Sequence, residues 1–197
     1  MEISAKMVKE LRDQTAAGMM DCKKALVEAN GDMEKAKDVL RKRGLSKANK
    51  KLGRVAENGA IVDYIHFNNK VGVMIELNCE TDFVARTDEF KKLGRDICKH
   101  IAMENPKYVT VEDVDSETIE KEKEIYKAQL ANSGKPEKVV NKIIEGKLEK
   151  FYSENCLMKQ KYFLDDSKTI DDIIKEAISK MGENISVRRF VRFELNQ

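Results

Sequence analysis

Between Val71 and Ile101 the chain changes its hydrophobic period, and the change leaves little freedom to the fold around it. Val71, Val73, Ile75 and Leu77 alternate with the mixed set Gly72, Met74, Glu76 and Asn78, the pattern of a strand with one buried face. Phe90, Leu93, Ile97 and Ile101 then recur at helical spacing, with Thr87 placed to cap the helix they define. The two patterns meet inside Asn78–Arg86, so Thr81 to Val84 occupy a tight strand-to-helix junction. Two readings of Phe83 follow. It is an aromatic wedge presented to a partner from a loop on a rigid scaffold, or it packs under the helix start, as most apolar side chains do.

The rest of the chain supplies partners for that strand and helix. Gly59 to Phe67 reads as a second strand, joined to the first through Asn68-Asn69, where asparagine tolerates positive φ. A third strand closes the chain, with Ile185, Val187, Val191, Phe193 and Leu195 alternating and Arg189 interrupting the apolar face. Ser116 is expected to cap a helix, Pro136 to sit in the first turn of the next, and Thr169 with Asp172 to form a capping box. Ile170, Ile173, Ile174, Ala177, Ile178 and Met181 mark a strongly amphipathic helix. Ahead of the strands, three helical patterns end near Ala16-Ala17-Gly18, Asn30-Gly31 and Gly44. The expected division is a three-helix bundle over residues 1–44, a basic linker over 45–56, and an α+β core over 57–197. The expected fold class is therefore α+β, with a three-stranded antiparallel sheet packed with helices behind the bundle. If helices cover one face of that sheet, something must cover the other, and Met74 and Phe190 on the mixed face hint at self-association.

Composition narrows the function. Charged residues make up 37% of the 197, yet the net charge is only +2. That balance argues against wholesale binding of nucleic acid through phosphates. The run from Arg41 to Arg54 is basic and reads as a solvated linker. Trp is absent and aromatics are 6%, so base-stacking platforms are poorly supplied. Cys22, Cys79, Cys98 and Cys156 form no C-x-x-C pair and read as small buried thiols. No signal pattern or membrane-length apolar run is present, so a soluble, cytoplasmic protein is expected.

No phosphate loop, dinucleotide fingerprint, nucleophile elbow or zinc-protease motif occurs. His66 reads as a surface strand residue and His100 as a partly exposed helix residue. The acid pairs Asp165-Asp166 and Asp171-Asp172 stand beside capping positions, where carboxylates favour a helix start without catalysis. No active site, metal site or cofactor is expected.

Four ordered blocks carry a family likeness. They are Val8–Arg12 with Ala17–Leu26, then Glu28–Asp32, then Cys79–Arg86, and finally Gly182–Ile185 with Val187–Phe190. Together they resemble elongation factor Ts, in a short bacterial form without the second core subdomain and coiled-coil insertion of longer members. The resemblance implies a ubiquitin-associated-like N-terminal bundle. It implies a guanine nucleotide exchange factor for elongation factor Tu in translation elongation, not an enzyme. It would bind the GDP-loaded and nucleotide-free partner, disturb its Mg²⁺ and phosphate site, and let GTP enter. The resemblance assigns Thr81, Asp82, Phe83 and Val84 to that disturbance and Met19, Met20 and Lys23 to docking of the bundle. Short members resemble half of the longer core, so a homodimer is expected, with no direct nucleic acid or membrane partner. The alternative from another class is an adaptor with a ubiquitin-associated-like bundle and no exchange activity, which would not need Thr81–Val84.

Overall fold

The computed structural model describes residues 3–15, 17–131 and 136–196. The chain divides into two compact units. One holds the chain up to Gly59 together with Asn78–Arg86 and Ile174–Ser186; the other holds Ala60–Leu77, Thr87–Ile173 and Val187–Gln197.

In the first unit, α1 (Ala5–Thr15), α2 (Met19–Glu28) and α3 (Met33–Asn49) form the N-terminal bundle. Its core is Val8, Leu11, Cys22, Ala25, Leu26, Ala29 and Ala36, with Met33, Val39 and Leu40 packed against it. Ser4 caps α1 through Met7 N at 3.3 Å, and Asp32 caps α3 through Lys35 N at 3.1 Å. Between α2 and α3, Asn30 and Gly31 take φ of 51° and 84°, and Gly31 N closes onto Leu26 O at 2.8 Å. The expected stop at Gly44 does not occur, because α3 runs through it to Asn49. A side chain at Gly44 would meet Ser179 Oγ at 3.0 Å, so the glycine permits a close approach instead of ending a helix.

Three strands, β1 (Asn58–Ile65), β2 (Val71–Cys79) and β5 (Ile185–Glu194), most of whose residues belong to the second unit, make one antiparallel sheet in the order β1-β2-β5. Asn69 supplies the positive φ (56°) of the β1-β2 hairpin. β2 buries Val73, Ile75 and Leu77, the face read from alternation. Helix α5 (Asp88–Glu104), capped by Thr87 through Phe90 N at 3.2 Å, buries Phe90, Leu93, Ile97 and Ile101. It lies close on the sheet: Cys98 Sγ donates to Val62 O at 3.4 Å, and Gly94 leaves no room for a methyl against Val62. Burial pushes the Cys98 thiol up to about 12.

His100 is fully buried, not partly exposed. Gln160 makes that possible. Its amide nitrogen donates to Glu154 O at 2.9 Å and Glu104 O at 3.4 Å, which leaves its oxygen to accept from His100 Nε2–H at 3.0 Å.

Helices α6 (Ser116–Leu130) and α7 (Glu137–Asn155) pack on one another, with Lys147 over the Tyr126 ring at 5.1 Å from its centroid. Asp115, not Ser116, caps α6, because its carboxylate takes Thr118 N at 2.7 Å and Thr118 Oγ1 at 2.8 Å. Pro136 stands just before α7 as its N-cap. Between α7 and the last helix lies a short hairpin, β3 (Lys161–Tyr162) with β4 (Asp165–Thr169). The capping box at the start of α8 (Ile170–Met181) forms in both directions: Thr169 N to Asp172 Oδ2 is 3.0 Å and Asp172 N to Thr169 Oγ1 is 3.2 Å.

Alternation along β5 breaks at Arg188–Arg189, and both guanidinium groups reach the Glu76 carboxylate, at 3.3 and 2.7 Å. The burial pattern of β5 changes phase there: Ile185 and Val187 are buried, whereas beyond Arg189 it is Arg192 that turns inward, to Ala102 O, and Val191, Phe193 and Leu195 are exposed. The Arg189 bond is the main reason the Glu76 carboxyl lies below its usual range. Val191, Phe193 and Leu195 line a groove of about 550 Å³ with Ile65, Gly72 and Met74 on the open side of the sheet. No helix of the described residues is long and apolar enough to cross a membrane.

Candidate functional site

The strand-to-helix junction lies wholly in the first unit. After Cys79 the chain passes through Glu80 and Thr81 into a single helical turn, α4 (Asp82–Ala85). One turn is too short to be stable by itself, since nucleation fixes several dihedrals for one hydrogen bond. Its anchors are therefore informative. Thr81 is the N-cap, its hydroxyl accepting from Val84 N at 3.4 Å. Cys79, fully buried, donates its thiol to Thr81 O at 3.0 Å. Burial, and then the nearby Glu183 carboxylate, push the Cys79 thiol up and keep it in the protonated, donating form.

Beyond the turn itself, the chain around Gly182–Asn184 supplies further anchors. Glu183 Oε2 accepts Thr81 N–H at 2.9 Å, and Oε1 accepts the Thr81 hydroxyl at 2.6 Å. In the other direction, Glu80 Oε1 accepts Asn184 N–H at 2.7 Å. Asn184 Nδ2 donates to Arg54 O at 2.7 Å, and Asn58 Nδ2 donates to Glu80 O at 2.9 Å. Lys51 Nζ donates to Gly182 O. As anchors these residues do not stand out in the sequence: Glu183 and Asn184 are signalled only by the place of Gly182–Ile185 among the four ordered blocks, Glu80 only by its place in Cys79–Arg86, and Arg54 only as the end of the basic run.

Of the four junction residues, Thr81 and Val84 are half-buried and Ala85 beside them is buried. Asp82 pairs with Arg86 at 2.8 Å, an exposed contact of little stabilising weight. Phe83 is 79% exposed, so the ring does not pack under a helix in this chain. A phenyl ring held out at the apex of an anchored turn offers apolar area that something else can bury.

Met19 and Met20 lie elsewhere in the same unit. Both open α2 and are 46% and 64% exposed, so neither fills the core. Met20 shares the outward face of α2 with exposed Lys23 and Val27, while Cys22 closes the core beneath, its thiol 3.7 Å from Ala17 O. Among the described residues no group of three or more His, Cys, Asp or Glu side chains is placed to hold a metal ion.

The chain matches, over residues 2–197, the family described as Elongation factor TS. It is 62% identical over 197 residues to the elongation factor Ts of Fervidobacterium nodosum, covering 100% of each chain. It is 63% identical over 195 residues to that of Thermosipho melanesiensis, covering 99% of this chain and 100% of the relative. The identity to that of Thermotoga maritima is 57% over 197 residues, 100% of this chain and 98% of the relative.

Proposed function

Because the chain belongs to the elongation factor Ts family, which acts in translation elongation, we propose that it is a guanine nucleotide exchange factor for elongation factor Tu. It binds the GDP-loaded partner, disturbs the Mg²⁺ and phosphate site through Thr81, Asp82, Phe83 and Val84, and releases GDP so that GTP can enter. The observation that most supports this is Phe83, an aromatic ring 79% exposed on a turn whose backbone is held from both sides. Mg²⁺ demands near-ideal octahedral geometry. A ring pressed between helices of the partner displaces packed elements between discrete arrangements, and the ion and GDP loosen together. No bond is made or broken, so the protein acts by binding and not as an enzyme. The coupling is reciprocal: a factor that weakens nucleotide binding is itself weakened by nucleotide.

The N-terminal bundle docks on the GTP-binding domain of the same partner through Met19, Met20 and Lys23, which form an exposed, adaptable surface at the start of α2. The division into bundle, basic segment and exchange core at residues 44 and 56 is a functional one, since α3 is continuous across Gly44. Two copies associate through the open sheet face, where Ile65, Met74, Val191, Phe193 and Leu195 leave an apolar groove that a two-fold partner would cover. The protein works in the cytoplasm, without direct contact with nucleic acid or membrane.

The direct test loads elongation factor Tu with fluorescent GDP and adds this protein at a fraction of the partner's concentration. Exchange requires faster release with turnover; release no faster than the intrinsic rate rejects the reading and leaves an adaptor.

A further inference from the structure

An exposed aromatic ring receives no direction from packing. Phe83 makes so little contact with its own chain that the orientation it presents must come from the backbone beneath it. That backbone is one helical turn, which cannot hold itself. The direction of the ring is therefore set by whatever holds Thr81.

Two groups hold it, through three bonds. The Cys79 thiol bonds Thr81 O at 3.0 Å, a weak interaction. The other two bonds come from the same carboxylate, Glu183, which takes the Thr81 N–H at 2.9 Å and the Thr81 hydroxyl at 2.6 Å. Bonds to a charged acceptor are roughly twice as strong as neutral ones. The hydroxyl bond has a second consequence. With its proton committed to Glu183, the Thr81 oxygen has its lone pairs left for Val84 N–H, 3.4 Å away, and so caps the turn. Glu183 thus fixes both the entry of the chain into α4 and the cap that starts it. A reciprocal bond, Asn184 N–H to Glu80 at 2.7 Å, locks the two segments in register. Gly182, at φ 82°, turns the chain between the end of α8 and Glu183, a conformation that a side chain would strain.

We propose that Glu183 is the positioning residue of the exchange turn: its carboxylate holds Thr81 so that Phe83 is presented to the partner in one orientation. The proposal rests on the exchange reading of Phe83. Glu183 itself touches no nucleotide and acts only through the turn.

The test is a four-cornered cycle of GDP release from elongation factor Tu, with wild type, Glu183→Ala, Phe83→Ala and the double variant, each over a range of concentrations. Glu183→Ala lowers the maximal release rate about 5- to 30-fold, inside the range of about 2- to 150-fold for residues coupled through one hydrogen-bond network. Its half-saturating concentration changes far less, because the rest of the surface is intact. In the Phe83→Ala background the same change has less than about a twofold effect, since the ring it positions is gone. Glu183→Gln, which keeps one acceptor oxygen but loses the charge and the second acceptor, gives a smaller loss with the same dependence on Phe83 and serves as the test if Glu183→Ala does not fold. A slow Phe83→Ala beside Glu183→Ala at the wild-type rate overturns this inference alone. Equal slowing by Glu183→Ala in both backgrounds also overturns it, as a purely structural role. A wild-type rate in Phe83→Ala overturns the exchange reading of the ring and the inference with it.

Discussion

Replacing Gly94 by alanine tests how α5 seats on the sheet, and the structure fixes the sign of the effect. An added Cβ would lie 2.7 Å from Val62 Cγ2, 3.0 Å from its Cβ and 3.1 Å from Cγ1. Rotating Val62 gives no relief: it exchanges one methyl for the other and leaves the Cβ where it is. The helix or the strand must recede by several tenths of an ångström, in an interior packed like a crystal. Overpacking of this kind costs about 1–3 kcal/mol. Against it stands the gain from removing a glycine inside a helix, about 1 kcal/mol. The net expectation is a loss of up to about 2 kcal/mol, read as a lower urea midpoint at unchanged slope. Gly146 is the internal control. It lies exposed within α7, and a methyl added there would meet nothing within 4 Å beyond the backbone of its own helix, so Gly146→Ala keeps only the gain and raises stability by up to about 1 kcal/mol. Opposite signs for the same substitution are the prediction. A Gly94→Ala protein as stable as Gly146→Ala would refute the close seating of α5 on Val62.

Three further outcomes are expected. Met19→Ser with Met20→Ser leaves the melting temperature nearly unchanged, both side chains being exposed, but weakens the complex with elongation factor Tu about tenfold, as measured by calorimetric titration. In light scattering at tens of micromolar the wild type has the mass of a dimer and Phe193→Glu, at the exposed groove, that of a monomer; a monomeric wild type removes the sheet-face association while leaving exchange intact. His100 has its imidazole pushed below the usual range, first by burial, against the opposing effects of the Gln160 bond and Glu104. The unfolded chain therefore takes up a proton, as pH falls below about 6.5, that the folded chain resists, so stability is full above that pH and declines below it. The slope from this group is at most about 1.4 kcal/mol per pH unit, and His100→Gln should flatten it between about pH 6.5 and 5 in urea titrations.

What could be read from the sequence was local. Alternation along Val71–Leu77, the Thr87 cap, the Thr169–Asp172 box and the amphipathic α8 all depend on neighbours within a few residues, and each stands where expected. The departures have distant causes. Gly44 looks like a helix stop until Ser179 is seen against it. His100 looks too polar to bury until Gln160, sixty residues on, supplies its acceptor. Arg189 looks in the sequence like an interruption of an apolar face, whereas the burial pattern changes phase there and Arg188 and Arg189 share Glu76. At the junction, the position of Thr81–Val84 between strand and helix was legible, but neither the exposure of Phe83 nor its anchoring was. A junction aromatic has the same sequence pattern whether it is core or wedge, and the Glu183 carboxylate that holds Thr81 lies about a hundred residues away.

The most direct test of the central claim follows GDP release from elongation factor Tu with wild type and Phe83→Ala at several Mg²⁺ concentrations, with circular dichroism and melting as fold controls. Because the ring is mostly exposed, its loss should cost the fold no more than about 1 kcal/mol, far below the roughly 3–5 kcal/mol of a buried phenylalanine. The account predicts a folded variant that still binds but loses about 5- to 150-fold of the acceleration, the range of a coupling of about 1–3 kcal/mol. The wild-type advantage should narrow when Mg²⁺ is withdrawn, since the ion is then already loosened. A folded Phe83→Ala protein that releases GDP at the wild-type rate across the Mg²⁺ series would contradict it.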